Sequence, residues 1–485
     1  MSSQPELPTP TLGSPSTPAQ LAYIPPQEPD AKLTSTNKES GLISEADSQA
    51  ENDSVADDVV SLTDTELYDG DDIYEPFEKY QHKVSELAAQ VFPNTHQIIV
   101  ERLGSGVDNR ALGITVLARP ANKYVGFFQR LLERSRIDNR RKQYALRVPR
   151  GNPEFVVQQV AVLRILAVKV PLLPIAEVVT WDSSENNVLG SPFMVQTRIQ
   201  GQPLKKILHK LNSRQLQSVL KQLMNIRETL VRFQSPCAGE ISEENILAPQ
   251  SDIQVSKYYV PGRNVEMYKD WKPRTWPAFP QDALTVLIEQ CERWREHHQL
   301  VHDYAYDYLW DSFITMSKTL DKLGFLDGPF SLEHGDLGDQ NILATIKEDT
   351  VEITGVIDWD YARFVPRFVA YRAPFLMWVD EKMDWVGEDI VPATHEPESV
   401  KLQLLKQYFE THASEEWKRF AFAPEAILGR QMFHVLMRGL YASWEVDQAE
   451  AILKEWDELH PEDNITPTDP LLDSDSEPES DDKNE

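Results

Sequence analysis

Two stretches decide the fold: His334-Gly335-Asp336-Leu337-Gly338-Asp339-Gln340-Asn341, answered a little further on by Gly355-Val356-Ile357-Asp358-Trp359-Asp360. Between them, Asn341–Ile346 and Val351–Ile357 alternate apolar residues around a polar turn, which predicts a hairpin. A loop supplying Asp336 and Asn341 can place both around one point, and the hairpin returns Asp358 to the same edge. Outward from this centre, Ser213–Phe233, Ala283–His298 and Tyr304–Asp321 carry apolar residues at helical spacing, and helices resume to about Leu459. Upstream of Leu204 the pattern is one of strands: Ile98–Leu103, Ala111–Ala118, Tyr144–Val148, Ile175–Trp181 and Pro192–Ile199. One helix interrupts them, started by Asn152-Pro153 and running to about Leu166. A small β-rich part followed by a large helical part is an α+β order.

The net charge of -29 over 485 residues is concentrated at the ends. Glu45–Glu78 holds about thirteen acids and no Lys or Arg, and Glu462–Glu485 about ten acids against Lys483 alone. Both regions are rich in Ser, Thr and Pro and poor in aromatics, so residues 1–75 and 461–485 are expected to be disordered. Ser474, Ser476 and Ser480 lie among carboxylates, where phosphorylation or plain solubilisation are both open, and the tails offer protein partners an attachment. No dominant basic face exists to overcome phosphate repulsion, which disfavours nucleic acid. Two cysteines, Cys237 and Cys291, exclude a disulfide framework and a cysteine-rich zinc site. The most apolar long stretch, Val156–Val179, is broken by Gln158, Gln159, Arg164 and Lys169, so no membrane span is expected, and the N-terminus has no signal-peptide pattern. The cytoplasm is the default location.

The chemistry follows from the central motifs. Phosphoryl transfer needs a carboxylate beside the attacking hydroxyl and hard oxygen ligands that hold Mg²⁺ against the phosphates. The pair H-G-D-x-x-x-x-N and I-D-W-D resembles the aminoglycoside phosphotransferase and choline kinase superfamily, a relative of protein kinases, from about Ile98 to about Trp444. The long helical insert resembles phosphotransferase-enzyme-family proteins of fungi. The resemblance implies a protein-kinase-like two-lobed fold, with a nucleotide-binding N-lobe over 76–200 and a helical C-lobe over 201–460. It implies ATP and Mg²⁺ as cofactors and a small-molecule hydroxyl as acceptor. Asp336 would be the catalytic base, His334 would shape the catalytic loop, and Asn341 and Asp358 would be the metal ligands.

Three further segments extend the picture. Leu103–Gly113 (LGSGVDNRALG) puts glycines between two strands, where backbone N–H groups can approach phosphates. By resemblance this loop covers the ATP phosphates through Gly104, Ser105, Gly106 and Asn109. Arg147, in YALRVPR, fits the third-strand cation that grips phosphates, and arginine binds them bidentately. Its expected partner on the next helix is Glu in relatives; here Gln159 stands at the matching place on the apolar stripe. Phe193–Gly201 reads as a buried edge strand ending in a turn and resembles the linker between lobes, which implies that backbone groups around Gln196, Thr197 and Ile199 would meet the adenine edge. Asp360 is either a contact to substrate or metal or a solvent-facing acid, and Arg363 and Arg367 read as attracting phosphate or as ordinary surface pairing with Asp360, with the pairing favoured. The basic run Arg130–Lys142 reads as a solvated loop, and the aromatic-rich insert Lys257–Pro280 reads equally as substrate loop or as packing. A protein kinase is disfavoured by Gly338, where such kinases carry lysine. A pseudokinase scaffold draws its best support from Gln159.

Overall fold

Strand β1 (Thr95–Ser105) runs antiparallel to β2 (Asn109–Ala118), and β2 to β3 (Arg141–Pro149); β4 (Val178–Asp182) and β5 (Phe193–Thr197) complete a five-stranded sheet in the order β1-β2-β3-β5-β4. Alternation decides which side faces in. Leu112, Ile114 and Val116 of β2 and Tyr144, Leu146 and Val148 of β3 are buried. A helix that the strand reading passed over, α1 (Phe77–Val91), covers them with Tyr80, Val84, Leu87 and Ala88. Helix α2 (Glu154–Lys169) is apolar nearly all round, and belongs to the larger core through Val156, Val160, Leu163 and Leu166.

The computed structural model describes residues 75–105, 109–118, 141–150, 154–260, 276–301, 306–379 and 390–468. All belong to one unit, Asp64–Glu485. Gly106, the start at Asn152-Pro153, most of the basic run, the middle of the aromatic insert, and residues 1–74 and 469–485 of the acidic tails lie outside the described residues, while Pro461–Asp463 forms a 3-10 turn.

After β6 (Gln202–Pro203) the chain becomes helical. Helix α3 (Ser213–Arg232) opens with a capping box between Asn212 and Gln215 and buries Leu216, Val219, Leu220, Leu223 and Leu230. Short strands β7 (Gln234–Ser235), β8 (Gly239–Ile241) and β9 (Val255–Ser256) follow, then α4 (Ala283–Val301) and α5 (Asp307–Lys322). Strand β10 (Phe330–Glu333) leads into the motif loop, β11 (Ile342–Lys347) and β12 (Thr350–Val356) form the expected hairpin, and β13 (Arg363–Val365) returns beside β10. The longer helices that follow are α6 (Val400–His412), α7 (Glu415–Phe422), α8 (Pro424–Arg438) and α9 (Ser443–Leu459). Helix α3 is stitched to the hairpin by Gln222, whose Nε2 donates to Val351 O at 2.7 Å while its Oε1 accepts from Ile353 N at 2.9 Å. The hairpin therefore sits on a fixed base, with the motif loop at one end. The α+β order and the kinase-like succession of a β-rich part and a helical part are as expected. No described helix is long and apolar enough to cross a membrane.

Candidate active site

The site begins with a close approach that only glycine allows. Gly335 has φ +84, and a Cβ on it would lie 2.4 Å from the carbonyl oxygen of Tyr361. That contact brings the loop after β10 against the segment leaving β12. His334, 1% exposed, ties the same two segments together. Asp336 N donates to His334 Nδ1 at 3.2 Å, so Nδ1 is the acceptor and Nε2 carries the proton towards Ile357 O, 3.0 Å away. The imidazole is thus neutral. Burial pushes its pKa down from 6.5 to about 4, and its ring packs on Trp359 with centroids 4.5 Å apart.

Asp336 is exposed, and its carboxylate is oriented by Asn341 Nδ2 at 2.8 Å and by Gln340 Nε2 at 3.2 Å. The Asn341 amide also donates to Asp336 O at 2.9 Å. Its nitrogen is thereby committed, and among the described residues no donor engages its Oδ1. Ile357 N donates to Asn341 O at 2.9 Å, which sets Asn341 opposite the residue before Asp358. Asp358 has φ +69, a left-handed backbone that is uncommon outside glycine and gathers at functional sites. Its Oδ1 accepts from Arg147 Nη2 at 2.9 Å. Burial pushes this carboxyl up, but the Arg147 charge and hydrogen bond outweigh it and hold it below the usual range.

Arg147 pairs with a second acid besides Asp358. The same Nη2 donates to Asp360 Oδ2 at 3.0 Å, and Gln159 Nε2 donates to Asp360 Oδ1 at 2.7 Å. Asp360 is 5% exposed, so the solvent-facing reading is wrong. Burial holds its carboxyl above the usual range, against the pull of Arg147. The expected partners of Asp360 are elsewhere: Arg367 bonds Glu416 at 2.7 Å, and Arg363 donates to Tyr361 O at 3.1 Å. What the sequence did not disclose is that Asp360 is buried among donors. The one local hint is its place two residues after Asp358, across a Trp359 that is 1% exposed.

The remaining expected contacts divide. Asn109, assigned by resemblance to ATP phosphates, donates to Asp360 Oδ2 at 2.9 Å instead. Gly104 pairs with Ala111, and a Cβ there would meet nothing within 4 Å, so the space above the strand end is open; Ser105 pairs with Arg110. Gln196 lies between β3 and β4, paired with Ala145 and Val178. Thr197 N donates to Glu177 O at 2.9 Å, and Arg198 N to Gln143 O at 3.0 Å. Those N–H groups are spent within the sheet, because the strand runs on to Thr197 with neighbours on both sides. Ile199, just past the strand, packs against Gly355 and has no backbone–backbone hydrogen bond among the described residues.

Asp336 opens on a cavity of about 710 Å³, walled by Leu208, Leu230, Phe375 and Leu376 and carrying Lys205 and Arg227. A shallower hollow of about 900 Å³ between α1 and β4 contains none of the site residues.

Residues 133–369, which carry both the H-G-D-x-x-x-x-N and the I-D-W-D motif, match the model of the phosphotransferase enzyme family. Among curated proteins no sequence matches the chain. Solved structures similar to it include a thermostable mutant of aminoglycoside phosphotransferase APH(4)-Ia in ternary complex with AMP-PNP and hygromycin B, at 18% identity and a TM-score of 0.41, covering 77% of this chain and 98% of that one. They also include the GDP complex of a wild-type aminoglycoside 2'-phosphotransferase-IIIa, at 15% identity and a TM-score of 0.41, covering 78% and 97%.

Proposed function

We propose that this protein is an ATP- and Mg²⁺-dependent phosphotransferase that phosphorylates a hydroxyl group of a small molecule. The observation that carries the reading is the convergence of four expected residues, Asp336, Asn341, Asp358 and Arg147, through the bonds Asn341–Asp336 (2.8 Å), Ile357–Asn341 (2.9 Å) and Arg147–Asp358 (2.9 Å). The match over residues 133–369 agrees with it.

The donor set fits magnesium. Asn341 Oδ1 and the Asp358 carboxylate are hard oxygens, and among the described residues no group of three or more His, Cys, Asp and Glu could hold a metal. A site with few protein ligands suits an ion that keeps several waters and is held largely through phosphates. When bound, it neutralises charge on the phosphates. The chain's own residues do the rest. Arg147 and the strand end at Gly104 hold the nucleotide phosphates. The acceptor enters the cavity before Asp336, which takes its hydroxyl proton while the hydroxyl oxygen attacks the γ-phosphorus and the bond to the departing nucleoside diphosphate breaks. Asn341 keeps the base aimed, and His334 keeps the loop on Ile357. Positioning and charge placement supply most of the rate enhancement.

Thermal unfolding with and without Mg·ATP tests the reading. At a hundred times the dissociation constant, a ligand stabilises the folded chain by about 2.7 kcal/mol. Wild type should show a magnesium-dependent upward shift, and Asp358→Asn should abolish it. A wild-type chain indifferent to millimolar Mg·ATP would sink the proposal.

A further inference from the structure

Asp360 receives donors from three separate elements. Gln159 reaches Oδ1 from α2, while Asn109 from the start of β2 and Arg147 from β3 reach Oδ2, all between 2.7 and 3.0 Å. These elements belong to the β-rich part, and they meet on one carboxylate of the segment that carries Asp358. Both Asp360 oxygens accept hydrogen bonds and the residue is 5% exposed, an arrangement that suits a buried anchor for donors.

The same geometry gives Gln159 a reason. A carboxylate at position 159 would face an Asp360 oxygen where the amide nitrogen now donates at 2.7 Å. Two acids at that distance repel, and Arg147 would be shared among three of them. In this chain an acid on the segment after the hairpin meets Arg147, and the helix contributes a neutral donor to that acid. Of the acids Asp358 and Asp360 on Arg147, Asp358 has a side chain 38% exposed and Asp360 one 5% exposed. Asp358 is therefore the partner a ligand can draw away, while Asp360 retains its hold on the guanidinium.

We infer that Asp360 is a positioning residue for phosphate binding, which aims Arg147 while braced by Gln159 and Asn109, and that the amide at Gln159 is required rather than a lost glutamate. This rests on the reading of Arg147 as a phosphate-binding residue.

The test uses the full chain as wild type, Gln159→Glu, Asp360→Asn and the double variant. Melting temperature without ligand, the dissociation constant for Mg·ATP and the half-saturating Mg²⁺ concentration are measured for each. Gln159→Glu should lower the ligand-free melting temperature and weaken Mg·ATP binding at least tenfold. Asp360→Asn should weaken Mg·ATP binding by a similar factor and leave the half-saturating Mg²⁺ concentration within twofold. In the double variant the acid count is restored and donor and acceptor are exchanged, so at least half of each loss should be recovered. Three results overturn the inference: Gln159→Glu binding Mg·ATP as tightly as wild type, losses that add without recovery, or a Mg²⁺ requirement that rises severalfold in Asp360→Asn. A wild-type chain that gives no Mg·ATP shift overturns the proposed function itself, before any variant is compared.

Discussion

Asp336 stands at the cavity with its oxygens steered by Asn341 and Gln340, and its work is separable from nucleotide binding. Asp336→Asn should lower turnover by roughly 10²–10⁴-fold, the usual contribution of a general base, while the Mg·ATP thermal shift persists. Gly335 is a different kind of residue: it contributes absence. Gly335→Ala places a methyl 2.4 Å from Tyr361 O at φ +84 and should cost about 1–3 kcal/mol, read as a lower melting temperature together with lost activity. The motif reading named Asp336, Asn341, Asp358 and His334 because residue types in a fixed order survive without tertiary knowledge. It could not place Asp360, since whether an acid two residues on is buried depends on what packs over it.

At the scale of elements, the hairpin, the helices α3 to α5 and the strands of the first sheet were legible, because period-two and helical apolar spacing say which face is covered. Helix α1 was readable in the same terms, with Tyr80, Val84, Leu87 and Ala88 at helical spacing, but its acidic surroundings hid it. Its packing makes a clear expectation. Leu87, 4% exposed against β2 and β3, should cost about 2–4 kcal/mol when cut to Ala, with kcat in the surviving folded fraction unchanged. The cap of α3 is a milder case. Asn212 accepts from Gln215 N at 3.0 Å, and Asn212→Ala should cost about 1 kcal/mol in denaturant unfolding.

For the whole molecule, the neutral imidazole at the centre of the site couples stability to pH. The folded pKa of His334, about 4, lies below its ordinary 6.5, so the unfolded chain binds more protons between those values. The His334 contribution is complete above pH 6.5 and is lost as pH falls through 4, by up to about 3 kcal/mol at 1.36 kcal/mol per pKa unit. Protonation would also replace the acceptor that Asp336 N–H uses. His334→Gln, which can keep an acceptor and a donor without a charge to gain, should flatten the fall in melting temperature between pH 6.5 and 4. By itself the sequence determined the α+β order, the hairpin and which residues to propose as base and oxygen ligands, because spacing and residue type are local properties of the chain. Only the tertiary structure decided that Arg147 leans on Asp360, that Asn109 braces that acid, and that the Thr197 and Arg198 N–H groups are spent within the β-rich part. Each of those is a partnership between segments far apart in sequence, and hydrogen-bonding capacity is allotted only when they meet.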